Sequence, residues 1–176
     1  MSSSMSERIV LRPPILADVP AIYAAVDESR AELSTWMPWC TPSYAEVNVA
    51  AFVENSAMDH QIGRAYEFGI FEPDGTFLGN CGLNSVNAEN RFANLGYWMR
   101  TSRTGRGFAT SAVLELAAWG FSNTDLNRLE IVVALGNRAS QRVAERAGAV
   151  REGTLRQRLV LDGRAHDAAI YSIVRA

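Results

Sequence analysis

The stretch "RTSRTGRGFATSAVLELAAWGF" runs from Arg100 to Phe121. Its first eight residues hold three arginines and two glycines, and an apolar helical pattern follows at once. Ala109, Val113, Leu116, Ala117 and Gly120 fall on one face of that helix, ready to pack on a sheet. Gly105 and Gly107 let the backbone turn its N–H groups toward one point, and the helix that follows adds its positive end. Arg103 and Arg106 add charge. There is no G-x-x-x-x-G-K-[ST], and Gly105-x-Gly107 lacks the third glycine of a dinucleotide-binding turn. A P-loop and a Rossmann turn are therefore excluded. Two readings of the loop stay open: an anion cradle, or a plain strand-to-helix connection.

Working outward, "FANLGYWM" (Phe92–Met99) precedes the loop as a strand, with Gly96 a candidate bulge. Before it, "AYEFGIF" and "TFLGNCGL" flank Glu72-Pro73-Asp74-Gly75, a turn in which Pro sets φ and Gly tolerates the exit. Near the start, "RIVLRP" is a short strand stopped by Pro13-Pro14. A helix then opens with Asp18 as N-cap and Pro20 in its first turn. "ELSTWMPWCTPSY" reads as irregular. A second helix is expected from Tyr44 to about His60, with Val49, Phe52, Val53 and Met58 as its apolar positions. Downstream come the strand "RLEIVVAL", the helix "NRASQRVAERAGA" capped by Asn137, and a hairpin turning at Asp162-Gly163. The expected order is β-α-α-β-β-β-α-β-α-β-β, an α/β (α+β) fold in one domain, residues 1–176. Strand, helix, strand, helix demands a parallel crossover, and the hairpins make the sheet mixed.

The composition is that of an ordinary globular domain: 48% hydrophobic, 20% charged, net charge −2. No global basic field recruits nucleic acid, although Arg100, Arg103 and Arg106, or Arg151, Arg156 and Arg158, are candidate local patches. Cys40 and Cys81 form neither a metal spacing nor a disulfide framework, so no metal is expected and the thiols read as reduced. "MSSSMSER" lacks the apolar core of a signal peptide, and no segment approaches the roughly 20 apolar residues of a membrane span. The expectation is a cytoplasmic protein without membrane or nucleic-acid partners.

Three ordered motifs decide between the two readings of the loop. "LGYWMRTSRTGRGFATSAV", then "NRASQRVAERAGAVREG", then "LDGRAHDAAIYSI" resemble the GNAT acyltransferases, and within them the RimJ/RimL-type N-acetyltransferases. The resemblance extends from "RIVLRPPILADVPAIY" through "WMPW" to the last strand. It implies acetyl-coenzyme A as cosubstrate and a coenzyme site between splayed fourth and fifth strands, matched here by Gly96–Arg100 and Ile131–Leu135. The family's loop signature, Gln/Arg-x-x-Gly-x-Gly/Ala, aligns to Thr104-Gly105-Arg106-Gly107-Phe108-Ala109, with Thr104 departing from it. The implied coenzyme-binding set is Trp98, Met99, Arg100, Arg103, Thr104, Gly105, Arg106, Gly107, Phe108, Ala109 and Thr110, joined by Asn137 and Ser140.

The same resemblance places Ala144 where many members carry a tyrosine acid, and Ser140 near the sulfur as in RimL-like "N-x-A-S". Ser140 is thus the candidate to assist thiolate departure, supported by Asn137. It puts Leu159 where a glutamate base is found, leaving Glu67 and His166 as replacement candidates. Hairpin register sets Leu159 against His166 and Arg158 against Asp167. Trp36 and Trp39 either pack in place or wall the acceptor slot.

An α-amine of pKa about 7.7–8.0 costs only about 1 kcal/mol to deprotonate at pH 7, a lysine near 10.4 about 4.6. A protein or peptide N-terminal α-amine is therefore the preferred acceptor, attacking the thioester directly. Alternatives are a small-amine acetyltransferase (amino acid, polyamine or antibiotic) and a non-catalytic coenzyme-binding sensor or structural subunit. Relatives often dimerise, which makes a homodimer a further expectation.

Overall fold

The computed structural model describes residues 8–176; the stretch read for a signal peptide lies almost wholly outside them. Seven strands form one sheet: β1 (Val10–Arg12), β2 (Tyr66–Phe71), β3 (Phe77–Asn87), β4 (Phe92–Met99), β5 (Arg128–Ala134), β6 (Val150–Leu161) and β7 (Arg164–Val174). Their spatial order is β1-β2-β3-β4-β5-β7-β6. Every neighbouring pair is antiparallel except β4 and β5, which are parallel. The helix between those two, α4 (Phe108–Asn123), is the crossover that a parallel pair needs.

Helices α1 (Val19–Glu28), α2 (Arg30–Trp36) and α3 (Glu46–Gln61) share one apolar cluster with Phe71 and Phe77. On the other face α4 and α5 (Arg138–Arg146) pack over Phe68, Leu83, Leu95, Leu129 and Tyr171. Cys40 and Cys81 are buried, free and in different clusters.

The expected order lacks α2. The "ELSTW" half of the stretch read as irregular is helical, because the chain breaks α1 only at Ser29 and Leu33 then turns into the core. Asp18 stands before α1 without capping it. Its carboxylate instead accepts both guanidinium nitrogens of Arg12, each at 2.7 Å, and the Ile15 N–H at 2.9 Å. Helix α3 starts two residues later than expected, where the Asn48 side chain accepts the Ala45 N–H. Met58 on α3 is exposed rather than apolar filling.

Gly96 is no bulge; it lies in regular register opposite Gly82, and the irregularity falls between Asn84 and Asn87, around Ser85 at φ 50°. At the C-terminal hairpin Leu159 does face His166. Arg158 does not pair with Asp167, because a bulge between Leu155 and Leu159 turns the Gln157 N–H onto the Asp167 carboxylate at 2.8 Å.

Candidate active site

Strands β4 and β5 pair only where Phe92–Asn94 meets Arg128–Glu130. Beyond Asn94, each strand keeps its antiparallel partner on the outer side, β3 for β4 and β7 for β5. The two facing edges then part. A cavity of about 780 Å³ fills the split, lined by Leu95–Trp98 on one side and Ile131–Ala134 on the other. An edge of unpaired backbone is a template for an extended chain.

At the exit of β4 the chain is fastened to the first two helices. The Thr101 N–H bonds to buried Ser29 at 2.8 Å and the Ser102 N–H to Glu28 at 2.9 Å. Arg100 also closes on Glu28, holding its carboxyl down to about 2. Arg103 is drawn to Glu72 at 3.5 Å, at the tip of the β2–β3 hairpin. The expected basic patch is therefore largely neutralised by carboxylates that sequence proximity does not show. Arg106 lies over the Phe108 ring at 5.0 Å.

Gly105 and Gly107 both hold positive φ, 76° and 88°, and Gly107 is the residue from which α4 starts. Ser111 is bonded back to Gly107 O at 3.1 Å, so the N–H groups of Phe108, Ala109 and Thr110 belong to the first turn, which has no intrahelical acceptors for them. Such a helix start, with its free amides and positive dipole end, is a place of favourable potential for an anion.

Asn137 caps α5 as expected, accepting the Ser140 N–H at 3.1 Å. Ser140 meets Tyr97 of β4: the two hydroxyl oxygens are 2.9 Å apart, and the Tyr97 hydroxyl is also 3.0 Å from the Ser140 carbonyl oxygen. Burial pushes the Tyr97 phenol up to about 12, so it keeps its proton at neutral pH. Ala144, in the place of the absent tyrosine, is fully buried. Below it, buried Gln141 donates to Leu135 O at 2.8 Å and fixes the turn from β5 into α5.

The far wall of the cavity is polar. Glu67 of β2 accepts the Asn80 amide at 2.8 Å, and Asn94 donates to Asn84 at 3.0 Å. Gly82 leaves the room this requires, since a Cβ there would lie 2.2 Å from the Glu67 carboxylate. Burial raises the pKa of Glu67, partly opposed by hydrogen bonds from Asn80 and Asn84. Among the described residues no lysine or arginine lines the cavity.

Trp36 and Trp39 line it as well. The Trp36 indole lies against Gly136, and Trp39 lies tilted between Tyr44 (5.1 Å) and Trp98 (6.0 Å). His166 is exposed near the hairpin turn and is not part of the lining, although its neighbour Leu159 is.

The structure thus brings Glu67, Trp36, Trp39, Trp98, Asn137 and Ser140 to one cavity and leaves His166 outside it. The sequence reading missed Tyr97, Asn80, Asn84 and Asn94. Strand alternation carries a signal for two of them: in "LGNCGLN" Asn80 and Asn84 share one face with Gly82, and Leu83 turns to the other.

Among the described residues no helix is long and apolar enough to cross a membrane. A family model described as an acetyltransferase (GNAT) domain matches residues 8–150. The ribosomal-protein-serine acetyltransferase of Escherichia coli is 27% identical over 168 residues, covering 96% of this chain and 93% of its own. Among solved structures, RimL, the ribosomal L7/L12 α-N-protein acetyltransferase in complex with coenzyme A, has a TM-score of 0.88 at 26% identity, covering 94% of this chain and 93% of that one. The microcin C7 self-immunity acetyltransferase MccE, in complex with acetyl-CoA and AMP, also reaches 0.88 at 26% identity, with 96% and 93% covered. A split sheet, a glycine-led helix start and a serine at the throat, joined to these matches, establish that the chain belongs to the GNAT family of N-acetyltransferases.

Proposed function

We propose that this enzyme transfers the acetyl group of acetyl-CoA to the N-terminal α-amine of a protein or peptide by direct attack within a ternary complex. The observation that carries this is the Tyr97–Ser140 hydroxyl pair at the throat of the split. The single Tyr97 proton lies within reach of both the Ser140 carbonyl and hydroxyl oxygens; turned to the hydroxyl oxygen, it leaves the Ser140 proton free for the departing sulfur. The resemblance supports placing pyrophosphate at the Gly105–Thr110 amides and the extended arm along the β4 edge, where backbone N–H groups polarise the thioester carbonyl. Nitrogen forms a bond to the carbonyl carbon as the carbon–sulfur bond breaks. Of the two protons an ammonium surrenders overall, one is replaced on sulfur and one leaves to solvent.

An α-amine suits this cavity because its ionisation asks little of a base, about 1 kcal/mol at pH 7. The names of the ribosomal-protein acetyltransferases among the relatives support the same acceptor class. Trp36 and Trp39 then wall the slot through which the peptide end arrives.

Release of free coenzyme A is measured with N-terminal peptides, lysine peptides, amino acids and polyamines, beside calorimetric binding of the coenzyme. Turnover confined to N-terminal peptides is expected. Turnover with amino acids or polyamines alone would replace the protein acceptor by a small one, and binding without any turnover would remove the catalytic reading.

A further inference from the structure

We propose that Glu67 and Asn80 together form the receiving site for the acceptor's ammonium group, with Glu67 taking its proton. This rests on the reading of the chain as an α-amine acetyltransferase and adds the base that Leu159 does not supply.

Three features of the wall carry it. Glu67 has no cationic partner within ion-pair distance among the described residues. The nearest acid on the facing helix, Asp59, is already closed on Arg64. Asn80 is 7% exposed, and its amide nitrogen is committed to Glu67, which leaves its Oδ1 buried and without a partner. A buried carbonyl of this kind costs free energy unless a donor arrives. Two acceptors side by side, one charged and one neutral, match a group that brings several N–H donors and a positive charge. An ammonium is such a group.

The third feature is Gly82. Its missing side chain is the space that the Glu67 carboxylate occupies, so the carboxylate is held over β3, toward the same cavity as Ser140.

The proton has a way out. Glu67 and Ser56 line both the main cavity and a smaller one of about 200 Å³, whose other walls are Pro13, Pro14, Ala57, His60 and Gln61. A proton on Glu67 therefore faces a second opening that an acceptor in the main cavity does not fill. The titratable groups around Glu67 are Asp59 and His60 from α3 and the Cys81 thiol from the other face of β3, with Asn80 and Asn84 as neutral donors.

The test is the pH profile of kcat/KM for an N-terminal peptide in wild type, Glu67→Gln, Asn80→Ala and His166→Ala, with coenzyme binding by calorimetry on each. Glu67→Gln is expected to lower kcat/KM by about 100-fold and to remove the contribution of Glu67 to the acid limb, leaving only the limb set by the peptide amine's own ionisation. Asn80→Ala removes a hydrogen bond that favours the charged carboxylate. Its acid limb is expected to move to higher pH, with KM for the peptide raised about tenfold. His166→Ala is expected to match wild type. Unchanged coenzyme affinity in every variant identifies these effects as acceptor-side.

Wild-type kcat/KM and an unmoved acid limb in Glu67→Gln would overturn the proposal, as would a loss of the limb in His166→Ala. A wild type that binds coenzyme but acetylates no amine would instead overturn the function on which it rests.

Discussion

Tyr97 on β4 and Ser140 on α5 meet hydroxyl to hydroxyl at 2.9 Å across the split sheet, although 43 residues separate them. The contact joins the two halves of the site and ties the serine hydroxyl to a phenol that keeps its proton. Ser140→Ala is expected to lower kcat about 10- to 100-fold with coenzyme affinity within about twofold of wild type. Tyr97→Phe should fall short of that loss, and the double variant should be no worse than Ser140→Ala, because the pair acts as a unit. Steady-state kinetics on the three variants checks it; additive losses would show two independent roles.

Gly107 enters α4 at φ 88°, and nothing lies within 4 Å of where a Cβ would sit. Gly107→Ala therefore introduces backbone strain without a clash, about 1–2 kcal/mol. Thermal melts should show a Tm lower by roughly 2–8 °C. Because the strain relaxes by turning the loop amides, KM for acetyl-CoA should rise about tenfold with kcat little changed.

Gln141 is buried and its amide holds the Leu135 carbonyl at 2.8 Å, where β5 gives way to α5. Gln141→Leu keeps the volume and leaves that carbonyl without a donor. The expected cost is about 2 kcal/mol, or roughly 4–8 °C in Tm. Since the same turn places Asn137 and Ser140, kcat should fall as well, which a purely remote packing defect would not produce.

Glu67 makes activity and stability move in opposite directions. Its folded pKa is raised by burial. Such a carboxyl binds more protons folded than unfolded. Stability therefore falls as pH rises from the unfolded value, about 4.3, toward the raised one, and stays lower above it. Glu67→Gln removes this dependence and gives Asn80 a donor. The variant should be more stable than wild type at pH 7.5, and the gap should narrow as pH falls toward about 4. Melts across that range test it; a variant less stable than wild type at pH 7.5 would contradict the sign.

What could be read from the sequence was what local chemistry determines. Gly105 and Gly107, the Asn137 cap and the Asp162-Gly163 turn are each specified within a few residues, and all three appear where expected. What depends on distant partners was not legible. Asp18 reads as a cap until Arg12 takes its carboxylate, and the pairing of Arg103 with Glu72 needs the β2–β3 hairpin to bring the two together. The Glu67–Asn80 bond needs the register of two strands, and Tyr97–Ser140 needs the entire crossover. Helix α2 was hidden because its seven residues carry a single buried apolar side chain, Leu33.

The parallel junction of β4 with β5 spans three residue pairs, and across it the sheet is two half-sheets. A molecule that bridges the gap adds to the folded state alone, by about 2.7 kcal/mol when present at a hundredfold excess over its Kd. Resistance to heat and to proteolysis is then set in part by the supply of coenzyme. In a cell depleted of the coenzyme this enzyme should be not only idle but shorter-lived, its abundance following the molecule that fills its split.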